Sequence, residues 1–223
     1  MQEKNATGIE ALYPFLYAKE GSVDAVLAEV RKSTSAKARE IVALRELTID
    51  LLGERLVDCA AAMARAFSFG ARLLCFGNGG SATDAQSVAH SFLLPPRGRA
   101  IAAMSLASDV AVLTALGNDI GFDVVFARQI GALGRRGDIA IGISTSGNSV
   151  NLLRAFEEAN RRGMLTIGLA GDRGGAMAEA DGIDFLFVVP SSSVHRIQEV
   201  QTTICHLLWE LTQDFLDRPE TAS

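Results

Sequence analysis

Apolar and polar positions along the chain follow two rhythms, and the change falls near residue 70. From Ala38 to Phe69 the residues Ile41, Leu44, Leu47, Leu51, Leu52, Leu56 and Met63 recur at helical spacing. Gly53 lies within this stretch, where the helix is expected to bend or divide. Asp24–Lys32 reads as a shorter helix, and the poorly patterned residues before it predict a flexible or loosely docked start. Beyond Gly70, short apolar runs alternate with helical stretches. The runs are Ala71–Phe76, Ala100–Leu106, Asp138–Ser144, Leu165–Gly171 and Asp184–Val189. Runs this short and this continuous are the mark of buried parallel strands joined by helical crossovers. The pattern predicts an α/β fold: a five-stranded parallel sheet with helices on both faces, closed by a long helix from about Val194 to Asp217. The expected organisation is a partly helical N-terminal extension over 1–37, one domain over 38–217 and a tail over 218–223.

Two predicted strands end in loops that suit an anion. The first ends in Gly77-Asn78-Gly79-Gly80-Ser81 and a helix follows at once. Glycines let the backbone approach a ligand, Ser81 is placed to cap the helix, and the exposed N–H groups there favour negative charge. The third ends in Ser144-Thr145-Ser146-Gly147-Asn148-Ser149, again before a helix. Its hydroxyls and backbone donors suit a phosphate monoester without a lysine. Two such loops at the carboxyl edge of one parallel sheet converge on one crevice. Either loop alone would be an ordinary strand-to-helix turn; the pair is what points to phosphate. No Walker lysine is present, which argues against nucleoside-triphosphate hydrolysis. Gly77-x-Gly79-x-x-Ala82 with Asp109 after the second strand also fits a loose dinucleotide fingerprint. That alternative gives the hydroxyl loop no role.

Composition narrows the class. The 223 residues carry 21 Lys+Arg against 26 Asp+Glu, a net charge of −5, so a general nucleic-acid or anionic-membrane binder is not indicated. Hydrophobic residues make up 48%, enough for a folded core without staples. The cysteines Cys59, Cys75 and Cys205 are odd in number and lack metal-motif spacing, which suggests free thiols in a reducing compartment. Residues 1–20 do not read as a secretory signal, and no apolar run reaches membrane-spanning length. A cytoplasmic protein is expected.

The order of four motifs adds a resemblance. Gly77-Asn78-Gly79-Gly80-Ser81, Gly117-Asn118-Asp119, Ile143-Ser144-Thr145-Ser146-Gly147-Asn148-Ser149 and Arg196-Ile197-Gln198-Glu199 stand in the register of the phosphoheptose isomerases, members of the sugar isomerase (SIS) family. The resemblance runs from about residue 40 to 215 and includes Phe126-Ala127-Arg128-Gln129. It implies a three-layer α/β/α fold, a phosphorylated sugar as substrate (sedoheptulose 7-phosphate) and aldose–ketose isomerisation. It also implies a homotetramer with active sites between subunits. Ser144, Thr145, Ser146 and Ser149 would hold the phosphate. Asn78, Gly79, Gly80, Ser81, Asn118, Asp119 and Gln198 would position the sugar. Isomerisation through an enediol needs a base for a carbon-bound proton and a group to manage the oxygen protons. In the family a glutamate on the helix after the first loop is the base and a histidine on the last helix is the acid. His206 matches that histidine. It lies eight residues after Gln198, so the two share a broad helix face.

The resemblance breaks at the base. Ser91 stands at the glutamate position and Ser87 at that of a histidine able to ligate zinc in some members. Serine is neither a competent base at neutral pH nor a good zinc ligand, so no bound metal and no cofactor are expected. His90 adjoins Ser91, but about 100° of helical rotation turns it to a neighbouring stripe. Glu199 reads as a structural partner beside the site, and Arg97 or Arg99 of the short Pro95–Arg99 link could approach an anion. A second branch of the family, a replication-initiation protein that binds the bacterial initiator, also carries serine at the glutamate position. The expected function is a phosphosugar isomerase, slowed by Ser91. The alternative is a catalytically silent phosphosugar-sensing or initiator-binding homologue, with no direct contact to nucleic acid.

Overall fold

A computed structural model describes residues 23–218; the expected loosely docked start lies outside the described residues. The chain divides into two compact units at Val42/Ala43, and the second carries the sheet. Helix α1 covers Val23–Ser68 as a single element of 46 residues. The expected break at Gly53 is absent, and the separate segment Asp24–Lys32 is part of the same helix. One interior glycine costs about 1 kcal/mol and each serine or threonine less, too little to stop so long a run of helix formers.

The remaining elements alternate. They are β1 Leu73–Gly77, α2 Gly80–Leu93, β2 Ala103–Ser105, α3 Val110–Asp119, α4 Val125–Leu133, β3 Ile139–Ile143, α5 Val150–Arg161, β4 Leu165–Gly171, β5 Phe185–Val189 and α6 Val194–Asp217. Short 3-10 turns occupy Phe122–Val124 and Gly175–Glu179. The five strands are parallel in the order β2-β1-β3-β4-β5. Every residue of β1 and β3 is buried, as continuous apolar runs require when helices cover both faces. β2 is shorter than its apolar run and partly exposed, because it is an edge strand with one hydrogen-bonded neighbour.

One face of the sheet carries α4 and α5. There Phe76 packs against Phe126 and Phe156 at ring separations of 5.6 and 5.2 Å. The other face carries the second half of α1 with α2 and α6. Phe67 of α1 meets Phe92 of α2 at 5.4 Å, and Thr212 of α6 reaches Met63 of α1. The chain leaves β1 toward β2 on one side and β3 toward β4 on the other. The strand order therefore reverses between β1 and β3, where parallel sheets open a crevice at their carboxyl ends. Gly77 pairs with Ile143 in register, so the loops after these two strands start side by side.

Candidate functional site

The loop after β1 is pinned before it reaches any ligand. Asn78 exchanges two side-chain amide hydrogen bonds with Asn151 of α5, each of 2.9 Å. Asn151 is buried, and nothing in its sequence context marked it as part of the site. Its reciprocal amide bonds tie the glycine loop to the helix that follows the hydroxyl loop. The predicted capping role of Ser81 does not occur. Gly79 is the N-cap of α2 without any side-chain cap, and Ser81 is buried inside the first turn. A glycine at that position needs no side-chain oxygen to leave its N–H groups pointing outward.

The hydroxyl loop is built around an internal bond. Ser144 is buried, and its Oγ accepts from the Gly147 amide at 3.0 Å; Ser146 Oγ accepts from the Asn148 amide at 3.2 Å. Ser149 is the N-cap of α5, but its hydroxyl makes no capping bond. Gly147 holds φ 67°, and a Cβ there would come 1.9 Å from the Gly174 carbonyl oxygen. Only glycine fits this contact, which seats the loop against the 3-10 turn after β4. The Asn148 side chain adds a bond from the Ala176 amide, 2.9 Å long. Thr145 and Ser146 remain at least partly exposed at the crevice.

Helix α6 brings the remaining groups. A Cβ on Gly80 would come 2.2 Å from Gln198 Nε2, so the Gln198 amide lies directly on the glycine loop. Two turns later, His206 is exposed with its ring 5.5 Å from that of Trp209. Gln201 is fully buried and donates from Nε2 to the Ser144 carbonyl at 2.9 Å. It ties α6 to the hydroxyl loop; the sequence offered only a glutamine on the inner helix face.

Between α2 and α6 lies a cavity of about 50 Å³, lined by Asp84, Ser87, Val88, Ser91, Thr202, Cys205 and His206. That is room for a few waters, not for a sugar. The structure thus brings Ser87 and Ser91, which share one face of α2, opposite His206. Ser91 Oγ donates to the Ser87 carbonyl and Ser87 Oγ to the Thr83 carbonyl, each at 3.0 Å. The carboxylate in this cavity is Asp84, which the sequence reading missed. Its Oδ1 accepts weakly from Thr202 at 3.4 Å, and its Oδ2 is buried without a hydrogen-bond partner among the described residues. Burial raises the Asp84 carboxyl above its ordinary range, opposed by the Thr202 hydroxyl. Burial also pushes the Cys205 and Cys75 thiols far up, so neither is a nucleophile near neutral pH. Among the described residues no group of three or more His, Cys, Asp or Glu side chains is placed to hold a metal ion. The hydroxyls of Ser87 and Ser91 are poor zinc ligands.

Other sequence candidates lie elsewhere. His90 is exposed and lines a separate cavity along β2, away from His206. Asp109 caps α3, accepting from the Val112 amide at 3.0 Å, so the dinucleotide reading loses its free acid. Glu199 pairs with Arg196 at 3.0 Å. Arg97 pairs with Asp214 and sits over Trp209. Asn118 and Asp119 end α3, exposed and hydrogen-bonded to one another at 2.8 Å; no bond joins them to either loop.

Known proteins share this fold. Residues 38–171 match the SIS domain family. The phosphoheptose isomerase of Aquifex aeolicus (strain VF5) is 41% identical over 180 residues, covering 80% of this chain and 93% of that protein. That of Pelobacter propionicus (strain DSM 2379 / NBRC 103807 / OttBd1) is 44% identical over 186 residues, covering 82% and 96%. The structure of phosphoheptose isomerase GmhA from Neisseria gonorrhoeae superimposes with a TM-score of 0.76 at 37% identity, covering 83% of this chain and 99% of that one.

Proposed function

Because this chain belongs to the SIS domain family, and its relatives over most of its length are phosphoheptose isomerases, we propose that it isomerises sedoheptulose 7-phosphate to the aldoheptose 7-phosphate. The observation that carries the reading is the side-by-side placement of the glycine and hydroxyl loops at the sheet's reversal point, with Gln198 seated on the first. Thr145, Ser146 and Ser149, with the backbone donors of the loop, hold the phosphate, and Ser144 supports them from beneath. Gln198, Gly79 and Gly80 position the sugar. Asn78 shapes the loop through its paired amide.

The reaction moves two protons. C1 of the ketose loses a carbon-bound proton while the O2 carbonyl gains one, giving an enediol. O1–H then releases its proton as C2 gains one, leaving an aldehyde at C1 and a hydroxyl at C2. His206, exposed on α6 two turns after Gln198, serves the oxygen protons. Ser91 sits where a base for the carbon proton belongs, and a hydroxyl is too weak an acid to serve as its alkoxide at pH 7. A missing general base costs roughly 10²–10⁴ in rate, so the enzyme is slow.

A homotetramer with sites between subunits would give Asn118 and Asp119 a role that one chain does not. We place the enzyme in the cytoplasm, with the catalytic domain over 38–217, acting on a phosphorylated sugar without metal, cofactor, membrane or nucleic acid. Purified protein incubated with sedoheptulose 7-phosphate should form aldoheptose phosphate, followed by NMR, and His206→Gln should abolish the product. Saturable substrate binding with no turnover above buffer would overturn the isomerase. It would favour the second reading, a silent phosphosugar sensor or initiator-binding homologue, which the two cavity serines support.

A further inference from the structure

The edge of the sheet opposite the crevice holds a second cavity, about 550 Å³, within the roughly 300–1,000 Å³ typical of ligand pockets. Arg65 at the end of α1, Arg72 before β1, and Arg135 and Arg136 before β3 line it. So does Phe69, a residue 87% exposed.

The acid lining this cavity is fully used. Asp138 is buried and accepts from the Arg72 amide at 2.8 Å, the Arg135 amide at 3.0 Å and the Arg72 guanidinium. Arginines near helix C-termini ordinarily answer the negative end of the helix dipole. Here that task is met by other groups. The Ala66 and Phe67 carbonyls at the end of α1 accept from the amides of Phe69, Gly70 and Ala71. The Leu133 and Gly134 carbonyls accept from Arg72 and Arg162. At the end of α5, the Glu158, Ala159 and Asn160 carbonyls accept from the amides of Arg162, Met164 and Gly163. The guanidinium groups of Arg65, Arg135 and Arg136 have no hydrogen-bond or ion-pair partner among the described residues. Arg136 runs over Gly163, where a Cβ would stand 3.3 Å from its Cγ, so the absent side chain leaves the arginine its course along the cavity wall.

Three unpaired guanidinium groups in a chain of net charge −5 form a local positive field that repels no partner as much as it attracts a polyanion. Planar guanidinium groups match phosphate oxygens two at a time, and an exposed aromatic ring beside them offers a stacking face. We propose that this cavity binds a nucleoside diphosphate, with the phosphates on Arg65, Arg135 and Arg136 and the base on Phe69. The site is separate from the isomerase crevice and does not depend on that assignment.

Calorimetric titration of the full-length chain with ADP, in about 50 mM salt and in the presence of saturating sedoheptulose 7-phosphate, tests it. ADP should bind, adenosine should not, and Arg135→Ala/Arg136→Ala should weaken ADP at least tenfold. Phe69→Ala should weaken ADP several-fold while leaving pyrophosphate unchanged. These side chains are exposed, so unchanged melting temperatures are expected and show that the variants are folded. No heat with ADP, ADP binding indifferent to the arginine pair, or pyrophosphate binding as tightly as ADP would each overturn the proposal.

Discussion

In the proposed mechanism the rate of turnover is set at Ser91. Its hydroxyl is spent on the Ser87 carbonyl, and it borders a cavity into which a longer side chain could extend toward His206. Ser91→Glu is expected to raise kcat by about 10² or more with little change in KM, measured with sedoheptulose 7-phosphate. An unchanged rate would place the defect elsewhere. Asp84 carries a different cost. Folding raises its carboxyl above the ordinary value of 3.8, so the native chain holds that proton more tightly than the unfolded chain. Its contribution to stability is most favourable below that value and declines as pH climbs through the raised native one. Asp84→Asn should therefore gain stability relative to the parent as pH rises from 4 to 7, read as the difference in urea midpoints. A pH-independent difference would show that burial does not strain the carboxylate.

At the scale of elements, the site depends on how α6 and the hydroxyl loop hold one another. Gln201→Leu removes the donor to the buried Ser144 carbonyl, a loss of about 1–3 kcal/mol. The loop loosens, so KM should rise more than kcat falls; an unaltered KM would deny Gln201 its positioning role. Gly147→Ala puts a side chain on a backbone at φ 67° and into the Gly174 carbonyl. The left-handed conformation alone costs about 1–2 kcal/mol, and the collision adds to it, so a clear fall in thermal midpoint is expected. The strands after Gly70 and the last helix were legible because each must present an apolar run or stripe to a buried layer. β4 and α6 have the bounds their patterns gave. β2 was overextended because an edge strand stops where its neighbour stops, and pairing is invisible in one strand's pattern. The continuity of α1 through Gly53 was missed for a related reason. A breaker is a local signal, while the helix persists through the sum of its neighbours.

For the whole molecule, α6 buries its apolar stripe within the chain, whereas α1 leaves Leu47, Ile49, Leu51 and Val57 exposed. α1 is thus a long helix with surplus apolar surface. Surface of this kind on a helix is what subunits cover, and a tetramer is the expected state in multi-angle light scattering at micromolar concentration. Leu47→Glu with Leu51→Glu should shift it toward smaller species; a monomeric parent protein would contradict the assignment.

The order of apolar runs and the two loops at strand ends were written in the sequence, because each is a property of residue type and local spacing. The partners were not. The engagement of Asn78 by Asn151, the seat of Gln198 on Gly80, the place of Asp84 beside His206 and the meeting of Arg65 with Arg135 at the far edge join residues from 70 to more than 100 positions apart. Such contacts are set by which strands pair and which helix faces meet. Only the folded chain fixes those choices.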